Sequence, residues 1–317
     1  MKILFTASEC VPFCKTGGLA DVVGALAPVL AKKGHDVRVM LPLYSMIPHD
    51  YVAQMKHVID FEVELGWRKQ YCGIEALEKD GVTYYFIDNK YYFGRSYIYG
   101  MGGDEYERYG FFDRACLNAL PLLDFAPDIL HAHDWQAGMI PALLRIQYQH
   151  LPFYSNMKTV FTIHNLQYQG RFAPSALDMM GLPGWAWNNA EFYDSVSFMK
   201  MGLVYCDFIS TVSETYAYEI QTPEYGYGME GILRSRADRL KGIVNGIDYV
   251  ANNPATDKHI VKHFDAEHPE GKAENKRALQ ERLGLEQRDV PVIGMITRLA
   301  DQKGIDIFAH VVDEMMR

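Results

Sequence analysis

The stretch CKTGGLADVVGAL, residues 14–26, follows an apolar run, Ile3-Leu4-Phe5, that is typical of a first β-strand. A lysine and two adjacent glycines open the turn, and the next residues place apolar side chains on one face of a helix that Gly34 ends. A strand, a glycine turn and a helix in this order predict the first unit of an α/β protein. The turn matches neither GxGxxG nor GxxxxGKS/T, the common phosphate-binding patterns, so its ligand must be inferred from its surroundings.

Composition limits the classes of function open to the chain. Its 317 residues are 49% hydrophobic and carry a formal net charge of −9, which predicts a globular protein of about two domains without a basic surface for nucleic acid. No segment approaches the roughly 20 apolar residues of a membrane span, and a strand takes the place of a signal peptide, so we expect a cytoplasmic protein without a membrane partner. Five irregularly spaced cysteines favour reduced thiols over a disulfide framework or a zinc site.

Apolar runs alternate with helical patterns through residues 1–246, which we interpret as one N-terminal domain. Three strand-like segments without intervening helices predict a meander inserted after the second strand. Residues 247–289 are polar, contain one helix and are interpreted as a connection, and residues 290–317 predict the first strand, turn and helix of a second α/β domain. Six runs predict the parallel sheet of the first domain: KILFTAS, DVRVMLP, DILHAH, TVFTIHN, DFISTVS and LKGIVNG.

The KTGG turn has the composition of an anion site. Gly17 and Gly18 allow a ligand to approach the backbone at a helix N-terminus, where unpaired N–H groups and the helix dipole attract anions. Lys15 adds a mobile positive charge at the same place, and Asp21 lies on the polar face of the helix. An ordinary turn with a surface lysine is the alternative.

Two predicted strands end in polar clusters. His131, His133 and Asp134 close DILHAHD, and His164 and Asn165 close TVFTIHN. Because ligands of open parallel sheets bind outside the carboxyl ends of the strands, these side chains are well placed for chemistry. Alternating residues at a strand end need not converge on one ion, so we predict no metal site. Asp134 is also expected to be the N-cap of the helix that follows it.

Polar residues suited to a site also occur later in the chain. Asn245 follows a further predicted strand, although Asn-Gly alone indicates only a turn. Arg298 and Lys303 flank the loop between the last predicted strand and helix. An arginine fork and a lysine charge can grip a diphosphate, and two unrelated surface residues are the alternative.

Eight motifs follow one another in order along the chain: KTGGLADVVGAL, HAHDWQAG, TIHNLQYQG, EFYDSVSFMKMGL, YGYGMEGIL, NGID, KAENKRALQ and TRLADQKGID. Together they resemble glycosyltransferase family 5, the family of bacterial glycogen synthases and plant starch synthases, from Met1 to Arg317. The resemblance implies a GT-B architecture, with two Rossmann-like domains that face each other across a deep cleft. It implies transfer of glucose from ADP-glucose to the non-reducing end of an α-1,4-glucan, glycogen or maltooligosaccharide, with retention and without metal or cofactor.

The resemblance also implies roles for single residues. Lys15 would contact the donor phosphates, and His164 would lie beside the donor glucose, where it helps to stabilise positive charge at the anomeric carbon. Arg298 and Lys303 would grip the diphosphate and offset charge on the departing ADP. The leaving phosphate, not a side chain, would help to deprotonate the acceptor. The other residues that it places at the cleft are Asp134 on the acceptor side, the carboxylate of Asp21, the aromatic Tyr92 near the donor, Asn165, Asn245, Gly17 and Gly18.

The chain departs from the family in two places. Asn252 stands where a tryptophan is common, and the E-x7-E segment and the nucleotide-base contacts would lie beyond Arg317. We therefore expect a fragment that is inactive alone. One alternative is a non-catalytic glucan- or partner-binding protein, which an end inside a new strand-helix unit disfavours. The other is a nicotinamide dehydrogenase, which the missing GxGxxG disfavours.

Overall fold

A large sheet organises the first part of the computed structural model, which describes residues 1–100 and 102–316. Its strands and those of a smaller sheet are β1 Lys2–Thr6, β2 Asp36–Pro42, β3 Lys56–Leu65, β4 Arg68–Lys79, β5 Val82–Asp88, β6 Ile129–His133, β7 Lys158–Ile163, β8 Arg171–Phe172, β9 Glu191–Phe192, β10 Ser195–Ser197, β11 Phe208–Thr211 and β12 Leu240–Gly242. The nine-stranded sheet has the order β12-β11-β7-β6-β1-β2-β5-β4-β3.

The large sheet is parallel from β12 to β5, which confirms the prediction of a parallel sheet. The predicted meander is also confirmed: β3, β4 and β5 pair antiparallel and extend the same sheet at one edge. The second sheet is antiparallel, in the order β8-β10-β9.

Helices connect the strands of the first unit and also occur in the second unit. They are α1 Gly18–Lys32, α2 His49–Val52, α3 Lys90–Phe93, α4 Glu105–Leu122, α5 Met139–Leu143, α6 Ser175–Met179, α7 Trp187–Ala190, α8 Phe198–Tyr205, α9 Glu214–Glu219, α10 Glu230–Ser235, α11 Gly271–Arg282 and α12 Ile305–Met315. Single turns of 3-10 helix occur at Trp135–Ala137, Gly184–Ala186, Ala237–Arg239 and Asp301–Lys303, and a π-helical turn occurs at Leu144–Tyr148.

The core follows from the apolar pattern of the first strand and helix. Four of the five residues of β1 are buried, and α1 buries Leu19, Val23 and Ala27 from its predicted apolar face. Gly34, at a φ of 87°, follows the end of α1 in the left-handed region, which glycine adopts without strain. The first strand and helix therefore form as the sequence predicts.

The chain divides into two units, Met1–Ile247 and Asp248–Arg317, one residue after the predicted end of the first domain. In the second unit, α11 and α12 form where helices were expected. The strand predicted at Val292–Ile296 is wrong: these residues form no strand, and Ile296 is fully exposed. A strand needs neighbours for its backbone hydrogen bonds, and described residues 248–316 supply none.

None of the helices in the described residues is both long and apolar enough to cross a membrane. All five cysteines lie within the described residues as buried free thiols, as predicted.

Candidate functional site

Three loops with chemically active side chains meet at one edge of the sheet. From β1 the chain proceeds to β2 and β5 on one side of the sheet, and later to β6 and β7 on the other side. The strand order therefore reverses between β1 and β6, which opens a crevice outside their carboxyl ends where such sheets bind ligands. The KTGG loop follows β1, and the two predicted polar clusters follow β6 and β7.

The KTGG loop is held by a carboxylate that the sequence did not single out. Glu9, only 3% exposed, accepts hydrogen bonds from the backbone N–H of Thr16, from the Thr16 hydroxyl at 2.9 Å and from the Gly17 N–H at 3.1 Å. The Tyr99 hydroxyl donates to the same carboxylate at 2.5 Å. Gly17 is the N-cap of α1 and makes no side-chain cap, so Glu9 holds the two residues that precede the helix rather than the first amides of the helix itself. The expectation of unpaired N–H groups concerns the first turn of α1, which begins at Gly18, and therefore stays a prediction.

Lys15 and Asp21 form an ion pair at the mouth of this loop. The Lys15 Nζ atom lies 2.7 Å from Asp21 Oδ1, and the two side chains are 51% and 54% exposed. Exposed pairs of this kind contribute about 0–1 kcal/mol to stability. Lys15 can therefore exchange Asp21 for another anion at little cost.

Packing within the described protein does not explain the two glycines of the loop. A Cβ atom added at Gly17 or Gly18 would have no atom within 4 Å, and neither residue has a positive φ. Gly24 contrasts with them in the same helix, because a Cβ there would lie 2.4 Å from Val11 Cγ2 and 2.5 Å from Val11 O. The space in front of Gly17 and Gly18 is compatible with the close approach of a ligand to the backbone.

Asp134 joins the ends of β6 and β7. Its Oδ1 accepts hydrogen bonds from the backbone N–H of His164 at 2.7 Å and of Asn165 at 3.4 Å. Asp134 occupies the N-cap position of the helical turn that follows it, but its side chain makes no hydrogen bond to that turn, so the expected capping bond is wrong. The carboxylate instead binds the two backbone N–H groups that follow β7. Its φ of 54° is rare for a residue other than glycine, and such strain often accompanies function.

Burial raises the pKa of Asp134 to about 7, against the two backbone hydrogen bonds that lower it, and the charge of Glu9 adds to the rise. The carboxyl group is therefore poised to exchange a proton near neutral pH. The two loops are electrostatically linked, since Glu9 is bonded to the KTGG loop.

Three histidines form a chain of contacts across β6 and β7. The rings of His131 and His133 stack with centroids 4.2 Å apart, and His133 Nδ1 lies 2.9 Å from His164 Nε2. His131 Nε2 lies 2.6 Å from the hydroxyl oxygen of Thr162. Burial lowers the pKa of His131 to about 3 and that of His164 to about 4, and it lowers the pKa of His133 well below its ordinary value. All three imidazoles are therefore neutral at pH 7.

The histidines bond to one another and to a hydroxyl rather than converging on a point. Within residues 1–100 and 102–316, no three side chains of His, Cys, Asp or Glu are grouped so that they could hold a metal ion.

A cavity of about 840 Å³ opens in the first unit, and the residue that follows Asp134 in the chain lines it. That residue, Trp135, forms part of the cavity wall, and its ring packs so closely on Gly170 that a Cβ there would lie 2.5 Å from Trp135 Cε3. Tyr193 and Tyr227 also line it, at φ values of 49° and 48°, and are 67% and 47% exposed. The cavity thus combines aromatic faces with polar groups. Its other lining residues include Tyr106, Gln167, Tyr168, Gln169, Arg171, Phe172 and Phe192.

Tyr92 does not belong to this surface. It is 0% exposed, its ring lies 4.9 Å from that of Phe111, and its hydroxyl donates to Glu107, which also pairs with Arg68. Burial, followed by the hydrogen bond to Glu107, raises its pKa. The expectation of an aromatic near a donor is therefore corrected, because in this structure Tyr92 is a core residue that no ligand can touch.

The remaining predicted residues are placed as follows. Asn165 belongs to the Asp134 cluster, and its Oδ1 accepts from the Gln167 N–H at 3.1 Å. Asn245 is exposed three residues after β12, at the same edge of the sheet. Arg298 and Lys303 are exposed in the second unit, in the segment that leads into α12. The structure thus groups the KTGG, Asp134 and His164 segments at one sheet edge within the first unit.

Comparison with known proteins gives consistent results. The family model for the starch synthase catalytic domain matches residues 2–235. Glycogen synthases of Desulforamulus reducens and Geobacillus stearothermophilus are each 52% identical, over 100% of this chain and 66% of theirs. The chain therefore spans slightly less than two thirds of the length of these curated relatives.

A solved structure agrees with the sequence relatives. The catalytic domain of starch synthase IV from Arabidopsis thaliana bound to ADP and acarbose has a TM-score of 0.92 and 33% identity, over 99% of this chain and 66% of that one. The likeness confirms the predicted α/β fold of the GT-B class.

Proposed function

Because the chain belongs to the starch synthase catalytic domain family, we propose that the protein containing it transfers glucose from ADP-glucose to the non-reducing end of an α-1,4-glucan, with retention at the anomeric carbon. One observation carries the proposal: the KTGG loop and the linked Asp134 and His164 share the crevice where the strand order reverses. The five buried free thiols favour a reducing, cytoplasmic location as part of the same proposal.

On the donor side, Lys15 is the cation that meets the phosphates of ADP-glucose. Among the residues that the structure describes, its ammonium group pairs with the exposed carboxylate of Asp21, so a diphosphate of higher charge can replace that partner. The unobstructed backbone at Gly17 and Gly18 lets the donor approach the start of α1. Thr16 and Gly17 have their N–H groups engaged by Glu9, so the lysine charge, more than these amides, attracts the phosphates.

His164 assists the chemical step. Positive charge develops on the donor sugar as its bond to phosphate breaks, and a neutral imidazole, unlike an imidazolium, can stabilise it. The low pKa of His164 keeps the ring neutral at pH 7, and its contact with His133 fixes the ring plane. Asp134 acts through the backbone, since its carboxylate holds the His164 and Asn165 N–H groups.

The glucan lies in the aromatic cavity. Sugar rings present apolar faces edged by hydroxyls, and the cavity offers Trp135, Tyr193 and Tyr227 beside polar side chains such as Gln167 and Arg171. Trp135, which lines the cavity, directly follows Asp134 in the chain, so we place the end of the glucan near the reacting donor. The solved Arabidopsis relative carries ADP and acarbose, so a member of the same family accepts a nucleotide together with acarbose.

In the second unit, Arg298 and Lys303 bind the diphosphate and stabilise the charge that ADP acquires as it leaves. Both side chains are exposed and lie in the segment before α12, next to Gly304, whose φ of 62° turns the chain into that helix. Bidentate arginine contacts and a lysine point charge suit a diphosphate. In the first unit, Asn245 is exposed three residues after β12 and contributes to the wall of the crevice at the carboxyl edge of the sheet.

Incubation of the full-length protein with radiolabelled ADP-glucose and glycogen tests this function. We expect label in the glucan, released as maltose units by an enzyme specific for α-1,4 ends. Protein that binds glycogen or maltooligosaccharide but incorporates no label would favour the second candidate, a non-catalytic glucan-binding protein. That candidate has one observation in its support, a cavity built entirely from the first unit.

A further inference from the structure

Glu9 is a buried carboxylate that has no role in the sequence motifs or in the proposed chemistry. It lies between the end of β1 and the KTGG loop and is 3% exposed. Acidic side chains are almost never buried without partners that compensate for lost hydration. Its partners therefore indicate what it does.

All four hydrogen bonds that Glu9 accepts tie the loop to the body of the first unit. Three come from the loop itself: the N–H and hydroxyl of Thr16 and the N–H of Gly17. The fourth comes from Tyr99, whose hydroxyl lies 2.8 Å from the hydroxyl of Ser8. The carboxylate is thus fixed on one side by Tyr99 and fixes the loop on the other.

We propose that Glu9 is a positioning residue that holds residues 15–17 in the shape that presents Lys15 to its anionic ligand. The identification of this ligand as ADP-glucose rests on the proposed function. The claim that Glu9 fixes the conformation of the loop does not depend on it. The exposed Lys15–Asp21 pair is too weak to order the loop, and the open space around Gly17 and Gly18 gives no packing that could. Charge-assisted bonds to a buried carboxylate are the strong contacts of this segment.

Proteolysis of the 317-residue chain tests the hold directly. Trypsin cleaves after lysine, and the Lys15–Thr16 peptide bond contains the N–H that Glu9 accepts, so cleavage requires release of that bond. Glu9→Gln should speed this cleavage by about tenfold or more, the scale set by loss of charge-assisted hydrogen bonds. Cleavage after Lys33, beyond the other end of α1, should keep its wild-type rate and serves as the internal control.

Three more variants make the result specific. Glu9→Asp keeps the charge but shortens the side chain, so it should behave like Glu9→Gln. Tyr99→Phe removes one of the four bonds and should give a smaller increase, and it decides the question if the Glu9 variants fail to fold. Glu62→Gln, at an exposed carboxylate on β3, should change nothing. Unchanged Lys15–Thr16 cleavage, or an equal rise after Lys33, would overturn the proposal.

Kinetics of the full-length protein test the positioning role. Glu9→Gln should raise the KM for ADP-glucose about tenfold and leave the KM for glucan unchanged, because only the donor meets Lys15. Equal changes in both values, or faster proteolysis without any donor effect, would overturn the role. A wild-type protein that transfers no glucose would contradict the proposed function instead, and proteolysis alone would then decide whether Glu9 holds the loop.

Discussion

His133 Nδ1 and His164 Nε2 lie 2.9 Å apart, across the carboxyl ends of two neighbouring parallel strands. Each ring is buried enough that its pKa falls below the ordinary value, so the pair shares one proton as a neutral hydrogen bond at pH 7. The bond orients His164 from the side of the core, and Asp134 holds the backbone of the same residue. His164 is therefore fixed from two directions before any ligand arrives.

Lys15→Gln should weaken ADP-glucose more than glucan. The change removes one charge-assisted contact, on the scale of about 1.5–3 kcal/mol, which is roughly a 10- to 150-fold loss in donor affinity. Stability should hardly change, because the Lys15–Asp21 pair is exposed. Steady-state kinetics with each substrate varied give the answer, with Lys33→Gln as the matched control. Unchanged donor KM and kcat would rule out the phosphate contact.

Gly18→Ala and Gly24→Ala should have opposite effects. At Gly18 a methyl group meets no protein atom, so the free energy of unfolding should stay the same or rise by up to about 1 kcal/mol, while donor affinity falls. At Gly24 the methyl group would collide with Val11, so stability should fall by about 1–3 kcal/mol. Urea unfolding and donor binding of both variants provide the comparison. Equal loss of stability in both would show that Gly18 serves packing.

Asp134→Asn should change how stability depends on pH. The pKa of Asp134 is raised to about 7, so its stabilising contribution is complete below the unfolded pKa, near 4, and is lost as pH rises through about 7. Asparagine tolerates the positive φ and does not ionise. Relative to wild type, the variant should therefore gain stability as pH rises over that range, by at most about 1.4 kcal/mol per pH unit.

Urea unfolding at several pH values measures this difference. The lowered pKa values of His131 and His164 act in the opposite direction, but they affect both proteins alike and cancel in the comparison. A stability difference that does not vary with pH would mean that Asp134 is ionised in the folded protein throughout the range.

Tyr193→Ala should weaken glucan binding and spare the donor. The residue lines the aromatic cavity and is 67% exposed, so its ring is accessible to a sugar. We expect maltooligosaccharide affinity to fall about three- to tenfold, the scale of one aromatic contact. Tyr218→Ala, at a tyrosine that is 73% exposed and outside the cavity, is the control for titration calorimetry. Equal maltooligosaccharide affinity of Tyr193→Ala and Tyr218→Ala would show that the glucan does not bind in this cavity.

The sequence predicted the elements whose signals are local. Alternating apolar runs and the KTGG turn give the parallel strands and α1, and the rule that ligands bind at carboxyl strand ends leads to Asp134 and His164. The sequence did not predict contacts between residues that are far apart in the chain and meet only in the folded structure. Glu9 reaches the loop only because the chain turns back after β1, and Tyr99 meets it from 90 residues away. No spacing pattern in one sequence indicates such a bond.

Burial and strand pairing explain two of the differences between the predictions and the structure. Tyr92 lies in an aromatic motif, but its hydroxyl finds Glu107 inside the core, which a pattern of polar and apolar letters does not reveal. Residues 292–296 have strand-like composition, yet a strand exists only with paired neighbours, and residues 248–316 supply none.

The central claim is that His164, at the reversal point of the sheet, assists glucose transfer from ADP-glucose. Its most direct test is the turnover of His164→Ala in the full-length protein, measured as radiolabelled glucose entering glycogen, together with calorimetric binding of ADP-glucose. His150→Ala, at an exposed histidine, is the matched control. The account predicts a kcat about 100- to 1,000-fold below wild type, with donor affinity within about threefold, because the contact forms mainly in the transition state. Turnover that falls only in proportion to lost ADP-glucose binding would contradict it.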